Sequence, residues 1–388
     1  MFTSGKPCEN SLNASLVCKI NFDGVFFMGI LRTMLAIAIV VFHTHKIFGL
    51  RMTGGQVSVQ TFYILSGFYM ALILNEKYTG KGSYKLFMTN RLLRIYPVYW
   101  VVLALALILS LVGYYGFNQP YYLARYINYS GSLSVFSLVY FVIENLVIFG
   151  QDILLFLCIG PDGHLYFHKF PSLQPQTGFN YLLVPQAWSV SLELMFYAIA
   201  PFIVRRHWKW QLLFVVMSLG LRVCITKCFS LSHDPWTYRF FPVELAFFIS
   251  GSLAYRLYKL IENRPFPNWL AYVLLGICLS FIVMYNGFVQ EMEVKKWLFY
   301  GLIIVSIPFI FKVFKNNKAD RAIGEFSFSL YIGHHLVVMV FHGIFFSHPK
   351  YMPYYGYSTL IASLGLSLLL NKILVQPLNR KRERRMLI

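Results

Sequence analysis

Of 388 residues, 57% are hydrophobic and only 13% charged, and the mean hydropathy is +0.58. A soluble protein of this length carries about twice that charged fraction, so the composition excludes an ordinary soluble enzyme and points to an all-α, polytopic transmembrane helical bundle. The net charge of +19 falls largely in short loops between apolar runs, so it argues for membrane topology rather than for nucleic-acid binding.

Residues 1–22 are too polar for a signal peptide, with Lys6, Glu9 and Lys19. They read as a cytoplasmic N-terminal segment, with the first span doing the targeting. Apolar stretches near 24–44, 57–75, 95–115, 133–150, 187–204, 210–226, 239–257, 269–286, 297–314, 326–346 and 357–377 are candidate helices. Basic loops lie at 76–94, 205–209, 255–264 and 312–321, and Arg380 to Arg385 form a basic tail. If all of these face the cytoplasm, the stretch 95–204 holds an even number of spans. The weakest of its three is 133–150, which carries Glu144 and Asn145, so it reads as a re-entrant or interfacial helix on the outer side. The expectation is about ten spans, both termini cytoplasmic, an outer loop from about 116 to 186, a transmembrane domain over 23–378 and a tail over 379–388.

No internal repeat is visible, so a two-half transporter with an inverted repeat gains no support. The six cysteines show no metal-site spacing. Cys224 and Cys228, one helical turn apart, read as packing residues; whether Cys8 and Cys18 pair is left open. The outer loop is rich in aromatic residues (among them Tyr114, Tyr122, Tyr126, Tyr129 and Tyr166), which suits either sugar stacking or an ordinary interfacial belt.

The chemistry sits in the spans. Arg32 and His43 are eleven residues apart, almost three helical turns, so they share a face about 16 Å apart. Ionisable groups in a membrane are expensive and tend to mark a pathway or reaction centre. Arg91 and Arg94, at i and i+3, can grip phosphates near the cytoplasmic surface or simply anchor the helix there. His43 can act as a base near neutral pH. Ser66 can donate a hydrogen bond, and Gly67 either admits a ligand to the backbone or packs helices closely. Glu193 opens a helix, where it can orient the imidazole or cap the chain. His334 lies mid-membrane, while His45 and His335 lie off the faces of their stronger neighbours.

Taken in order, these segments resemble the acyltransferase-3 family of membrane O-acyltransferases. Arg32 and His43 match an Arg/Lys, ten residues, His pattern, and Phe62 to Phe68 match a helix ending Leu-Ser-Gly-Phe. Arg91 to Pro97 form a complete Arg-x-x-Arg-Ile-Tyr-Pro. Trp188, Ser189, Glu193, Phe196 and Tyr197 match Trp-Ser-x-x-x-Glu-x-x-Phe-Tyr. Ser327, Tyr331 and His334 match Ser-Tyr-x-x-Tyr-x-x-His, with Phe328 in the usual Tyr place.

The resemblance implies transfer of an acyl group, most often acetyl, from cytosolic acyl-CoA to a hydroxyl of an extracytoplasmic glycan or lipid-linked sugar. Lipopolysaccharide is one such acceptor. It makes His43 the base, lines the donor channel with Arg32 and puts the CoA phosphates on Arg91 and Arg94. Ser66 also contacts the donor, while Gly67, Trp188, Ser189, Glu193, Tyr331 and His334 shape the site. Acyl-CoA is a co-substrate, with no permanently bound cofactor and no metal, and the expected location is the bacterial inner membrane. The short tail suggests the stand-alone form, without a fused esterase-like domain.

One departure stands out. Members commonly carry Gly-Val-Asp where this chain has Ser58-Val59-Gln60, so an acidic partner for His43 must come from elsewhere, and Glu193 is the candidate. The rival reading is a transporter or flippase with an Arg32/Glu193/His334 relay, which needs no phosphate site at Arg91 and Arg94.

Overall fold

A computed structural model describes residues 28–287 and 292–384. The N-terminal segment with Cys8 and Cys18, and the end of the basic tail, lie outside the described residues. The chain is a helical bundle: α1 (Gly29–Phe42), α2 (Gly54–Glu76), α3 (Ser83–Phe117), α4 (Ala124–Tyr129), α5 (Val135–Val147), α6 (Trp188–Ile203), α7 (Trp208–Lys227), α8 (Phe241–Ile261), α9 (Asn268–Met284), α10 (Met292–Phe314), α11 (Lys318–Phe346), α12 (Tyr355–Leu370) and α13 (Gln376–Arg384). A small antiparallel hairpin, β1 (Leu157–Ile159) and β2 (Leu165–Phe167), decorates the long connection before α6.

Seven helical segments among the described residues are long and apolar enough to cross a membrane: α2, α3, α7, α9, α10, α11 and the run over 349–381. Helices α1 and α5 are apolar but shorter. At thirteen residues, α5 spans about 20 Å, short of the roughly 30 Å hydrocarbon core. Its exposed C-terminal carbonyls need donors, and α3 supplies them. Tyr99 Oη donates to Asn145 O at 2.5 Å, Trp100 Nε1 donates to Leu146 O at 2.9 Å, and Tyr96 Oη donates to Val147 O. The Tyr-Pro end of the α3 motif thus anchors a helix that cannot cross on its own.

Helix α2 is the centre of the bundle and is buried nearly all round. It meets α8 backbone to backbone, because both carry glycine at the crossing. A Cβ on Gly67 would fall 1.7 Å from Phe248 O, and one on Gly251 would fall 1.9 Å from Ile64 O. Small residues at such crossings let membrane helices approach closely.

Helices α1 and α11 run parallel and are pinned at their starts. The Asp320 carboxylate accepts from Gly29 N at 2.9 Å and Ile30 N at 3.0 Å, satisfying two orphan donors of α1. Asn317 in turn caps α11 by accepting from Asp320 N at 3.0 Å, and Thr33 donates to Ile323 O at 2.9 Å.

The basic loops collect at that same end of the bundle. Arg205 donates to Leu74 O at 2.9 Å and Tyr78 O at 2.5 Å, Lys259 pairs with Glu76 at 3.4 Å, and Lys315 pairs with Glu262 at 3.7 Å. Lys312 donates to Ile261 O at 2.8 Å. The grouping deduced from the charge pattern is therefore realised by direct contact.

Near the opposite end, a buried polar network replaces the missing aspartate. Gln60 Nε2 donates to both Glu244 oxygens at 2.8 and 3.0 Å, and Arg222 pairs with Glu244 at 2.6 Å. Tyr300 Oη donates to Gln60 Oε1. Every member has a partner, which is what makes a buried charge tolerable. Arg222→Ala strands Glu244 and is expected to lower unfolding stability in detergent by about 3–5 kcal/mol. Combining Arg222→Met with Glu244→Gln should recover part of that loss, because no buried charge remains.

Candidate active site

Two cavities lie between α1, α2, α6 and α11. The larger, about 1320 Å³, is lined by His43, Trp188, Tyr331, His335 and Arg239 among others. The smaller, about 40 Å³, is lined by Arg32, Phe62, Glu193, Ser327 and Phe328 among others. Val59 and Tyr331 line both, so the two spaces meet at that pair.

His43 follows the last residue of α1, and its backbone N–H still caps the helix on Ile39 O at 3.1 Å. Its ring lies 5.3 Å from that of His334 and 5.4 Å from that of His335. His334 is fully buried, with Nδ1 2.6 Å from Tyr331 O and Nε2 without a hydrogen-bond partner in the protein. The carbonyl fixes the proton on Nδ1, leaving Nε2 as an acceptor. His335 does not stand aside, as its helix position suggested. It faces the larger cavity, one turn on from Tyr331, and holds the Tyr122 hydroxyl at 2.8 Å.

At the other end of the same helix pair, Arg32 Nε donates to Ser327 Oγ at 3.3 Å, with its guanidinium 5.8 Å from the Phe62 ring and 5.6 Å from the Tyr69 ring. The Ser189 and Tyr331 hydroxyls lie 2.5 Å apart and both lie near Gln186 O, at 3.2 and 3.0 Å, so one donates to that carbonyl and the other donates to its neighbouring hydroxyl. That braces the entrance to α6.

Glu193 Oε1 accepts from Ser66 Oγ at 2.7 Å and from Tyr197 Oη at 2.5 Å. It lines the smaller cavity while His43 lines the larger, so Glu193 is not the hydrogen-bonding partner of the imidazole. Among the described residues no carboxylate is bonded to His43. Gly67 also departs from the ligand-approach reading, because Phe248 backbone fills the space beside it.

Arg91 is not a surface anchor either. It is fully buried, packed 5.8 Å from the Phe87 ring and 6.0 Å from the Tyr197 ring, and its three guanidinium nitrogens have no hydrogen-bond partner in the protein. Its helix face turns toward α6 rather than toward water. Arg94, one turn on, is half-buried. Apart from Tyr122, the tyrosines of the connection before α6 that pack together serve another end. Tyr126, Phe141 and Tyr181 form a core of their own, with the last two stacked at 4.4 Å, and the loop sends Phe179, Pro185 and Gln186 to the larger cavity instead.

Arg239 is the residue the motifs did not mark. It sits 4.5 Å from the Trp188 ring and pairs with Asp234 at 2.9 Å. Burial pushes the Asp234 carboxyl up, and Arg239 pulls it back down. The available signal was a cation just ahead of an apolar run and remote from the basic loops.

The profile of the acyltransferase domain matches residues 25–372 of the chain, nearly the whole bundle. The chain belongs to the acyltransferase-3 family. Relatives from Staphylococcus aureus strains COL, MSSA476 and MRSA252, each carrying a provisional O-acetyltransferase name, are 25% identical over 345 residues. The alignment covers 81% of this chain and 51% of each relative, so the chain spans about half the length of the curated relatives it matches. No solved structure matches the chain. Within this family frame, the first-span pair divides between the two cavities, Arg32 in the smaller and His43 in the larger.

A buried guanidinium with no hydrogen bond is unfavourable in the ligand-free fold. Arg91→Met is therefore expected to raise the thermal stability of the purified, ligand-free protein, by about 1 kcal/mol or more. A fall in stability would show that Arg91 acts as a structural post.

Proposed function

We propose that this chain is a membrane O-acyltransferase that moves an acyl group, acetyl in the first instance, from acyl-CoA to a hydroxyl of an extracytoplasmic glycan or lipid-linked sugar. The observation that carries the reading is the pair of cavities meeting at Val59 and Tyr331. One holds a solvent-facing imidazole suited to deprotonate an acceptor hydroxyl, and the other holds a cation and two serines in a small space. At about 40 Å³ the smaller cavity has room for about three water-sized groups. An acetyl group has three heavy atoms.

In this reading the protein has about ten spans with both termini in the cytoplasm, and sits in a bacterial inner membrane. The clustered basic loops support that sidedness. Acyl-CoA enters at the basic end, with its phosphates on Arg94 and then Arg91, whose unpartnered nitrogens suit a charged oxygen ligand. The acyl thioester passes Arg32 toward Tyr331. The acceptor hydroxyl enters the larger cavity and His43 takes its proton. The acceptor oxygen bonds to the thioester carbonyl carbon, the carbon–sulfur bond breaks, and the leaving thiolate takes the proton from His43. His334, with its proton held on Nδ1, keeps the neighbouring ring space polar. Glu193 positions Ser66 and Tyr197 rather than the imidazole.

His43 is a cavity-lining residue with no structural hydrogen bond from its ring, so His43→Ala is expected to leave the protein folded while lowering acyl transfer by about a hundredfold or more. Mass-spectrometric ester content of surface glycans, in cells carrying wild type, His43→Ala or no gene, reads this directly. Free CoA at about a hundred times its Kd is expected to stabilise the purified wild type by about 2.7 kcal/mol, and to stabilise Arg91→Met far less. A transporter of unrelated solutes would show no CoA effect.

A further inference from the structure

The larger cavity carries more positive charge than the reaction needs. Lys46, Arg51, Arg239 and Lys296 line it, against Asp234 and Glu293. Both acids are already engaged, Asp234 by Arg239 at 2.9 Å and Glu293 by Lys296 at 2.7 Å. Lys46 and Arg51 have no acidic partner among the described residues, which leaves two positive charges over.

Arg239 is also poised for more than its ion pair. Its guanidinium is held over the Trp188 ring at 4.5 Å, with Phe179 at 5.3 Å and Tyr238 at 5.4 Å. Asp234 takes Nε at 3.0 Å, while Nη1 is buried and has no hydrogen-bond partner in the protein. A guanidinium fixed by aromatic packing, with part of its fork unused, is preorganised for an oxyanion. Trp188 is buried beneath it and packed by Tyr238 at 4.9 Å, so the indole fixes the guanidinium in place.

We infer that the larger cavity is a binding site for an acceptor sugar bearing an oxyanion, a carboxylate or a phosphate, with Arg239, held by Trp188, as its specificity-determining contact. Lys46 and Arg51 add attraction at the exposed rim. The inference rests on the acyltransferase reading for the word acceptor, but not for the binding itself. It selects uronic-acid-type or phosphate-bearing sugars over neutral ones.

The test is binding to the purified full chain, which does not require turnover. Three probes are compared by thermal stabilisation: methyl glucuronoside for the carboxylate source, glucose 1-phosphate for the phosphate source, and neutral methyl glucoside. At least one anionic probe is expected to bind about tenfold or more tighter than the neutral sugar, and Arg239→Gln should remove most of that preference. Arg239→Lys should keep part of it. Arg51→Gln, at an exposed rim position, tests the charge without disturbing the aromatic packing and should weaken the anionic probe alone. Raising salt from about 0.15 to about 1 M shortens the screening length from about 8 to about 3 Å, and should weaken anionic but not neutral binding in the wild type.

Equal binding of the three sugars, no binding of any, or unchanged preference in Arg239→Gln each overturns the inference. Displacement of the anionic probe by free CoA also overturns it, because the cations would then belong to the donor. Loss of acyl transfer with the anion preference intact would instead count against the enzymatic reading alone.

Discussion

The parallel pairing of α1 with α11 is the constraint on which the rest depends. Asp320 fixes the first turn of α1 through Gly29 and Ile30, and from that point the two helices stay in register. Arg32 meets Ser327 near the start, and His43 meets His334 and His335 near the finish. A glycine is required at position 29, because a Cβ there would lie 1.8 Å from Asp320 O. A slip of one residue would turn Arg32 by about 100° away from its partner. The two ends of the site are thus located by one helix cap about 300 residues away in sequence.

Around that pair, the bundle handles buried charge in two opposite ways. Both Glu244 oxygens are satisfied, with Gln60, Arg222 and a tyrosine closing a buried network. Arg91 is left with aromatic rings and no hydrogen bonds. In a low-dielectric interior the first arrangement specifies the fold, and the second stores an unmet demand for an anion. The contrast separates the two residues more sharply than burial does, since both are enclosed.

The division of the motifs between two cavities gives each family element a physical job. Arg32, Ser327 and Glu193 bound the smaller space, while His43, Trp188 and His335 bound the larger one, with Tyr331 between them. Ser189 and Tyr331 lock together over Gln186 O, so the fourth and fifth motifs brace one another rather than act separately. The third motif splits by residue: its arginines face the α6 side or the basic end, whereas Tyr96 completes the hydrogen bonds of the short α5. Arg239 lies outside all five motifs, and yet it lines the same larger cavity beside Trp188.

Much of this was legible in the sequence. Apolar length and the loop cations determined a helical membrane bundle with its basic loops at one end, because hydrocarbon thickness and the positive-inside bias act locally along the chain. The eleven-residue spacing of Arg32 and His43 put them on one face for the same local reason. What periodicity could not supply was which helix lies beside which. The engagement of Glu193 by Ser66 and Tyr197, the enclosure of Arg91, the loss of Gly67 to a helix crossing and the entry of Arg239 and His335 into the larger cavity all depend on contacts between distant segments. Those follow from how helices pack against one another, where each buried polar group takes whichever partner the fold brings within reach. The sequence by itself determined the helices and the family chemistry they carry; only the tertiary structure decided which side chains share a cavity, because a hydrogen bond needs its partner within about 3 Å and no linear spacing encodes that across separate helices.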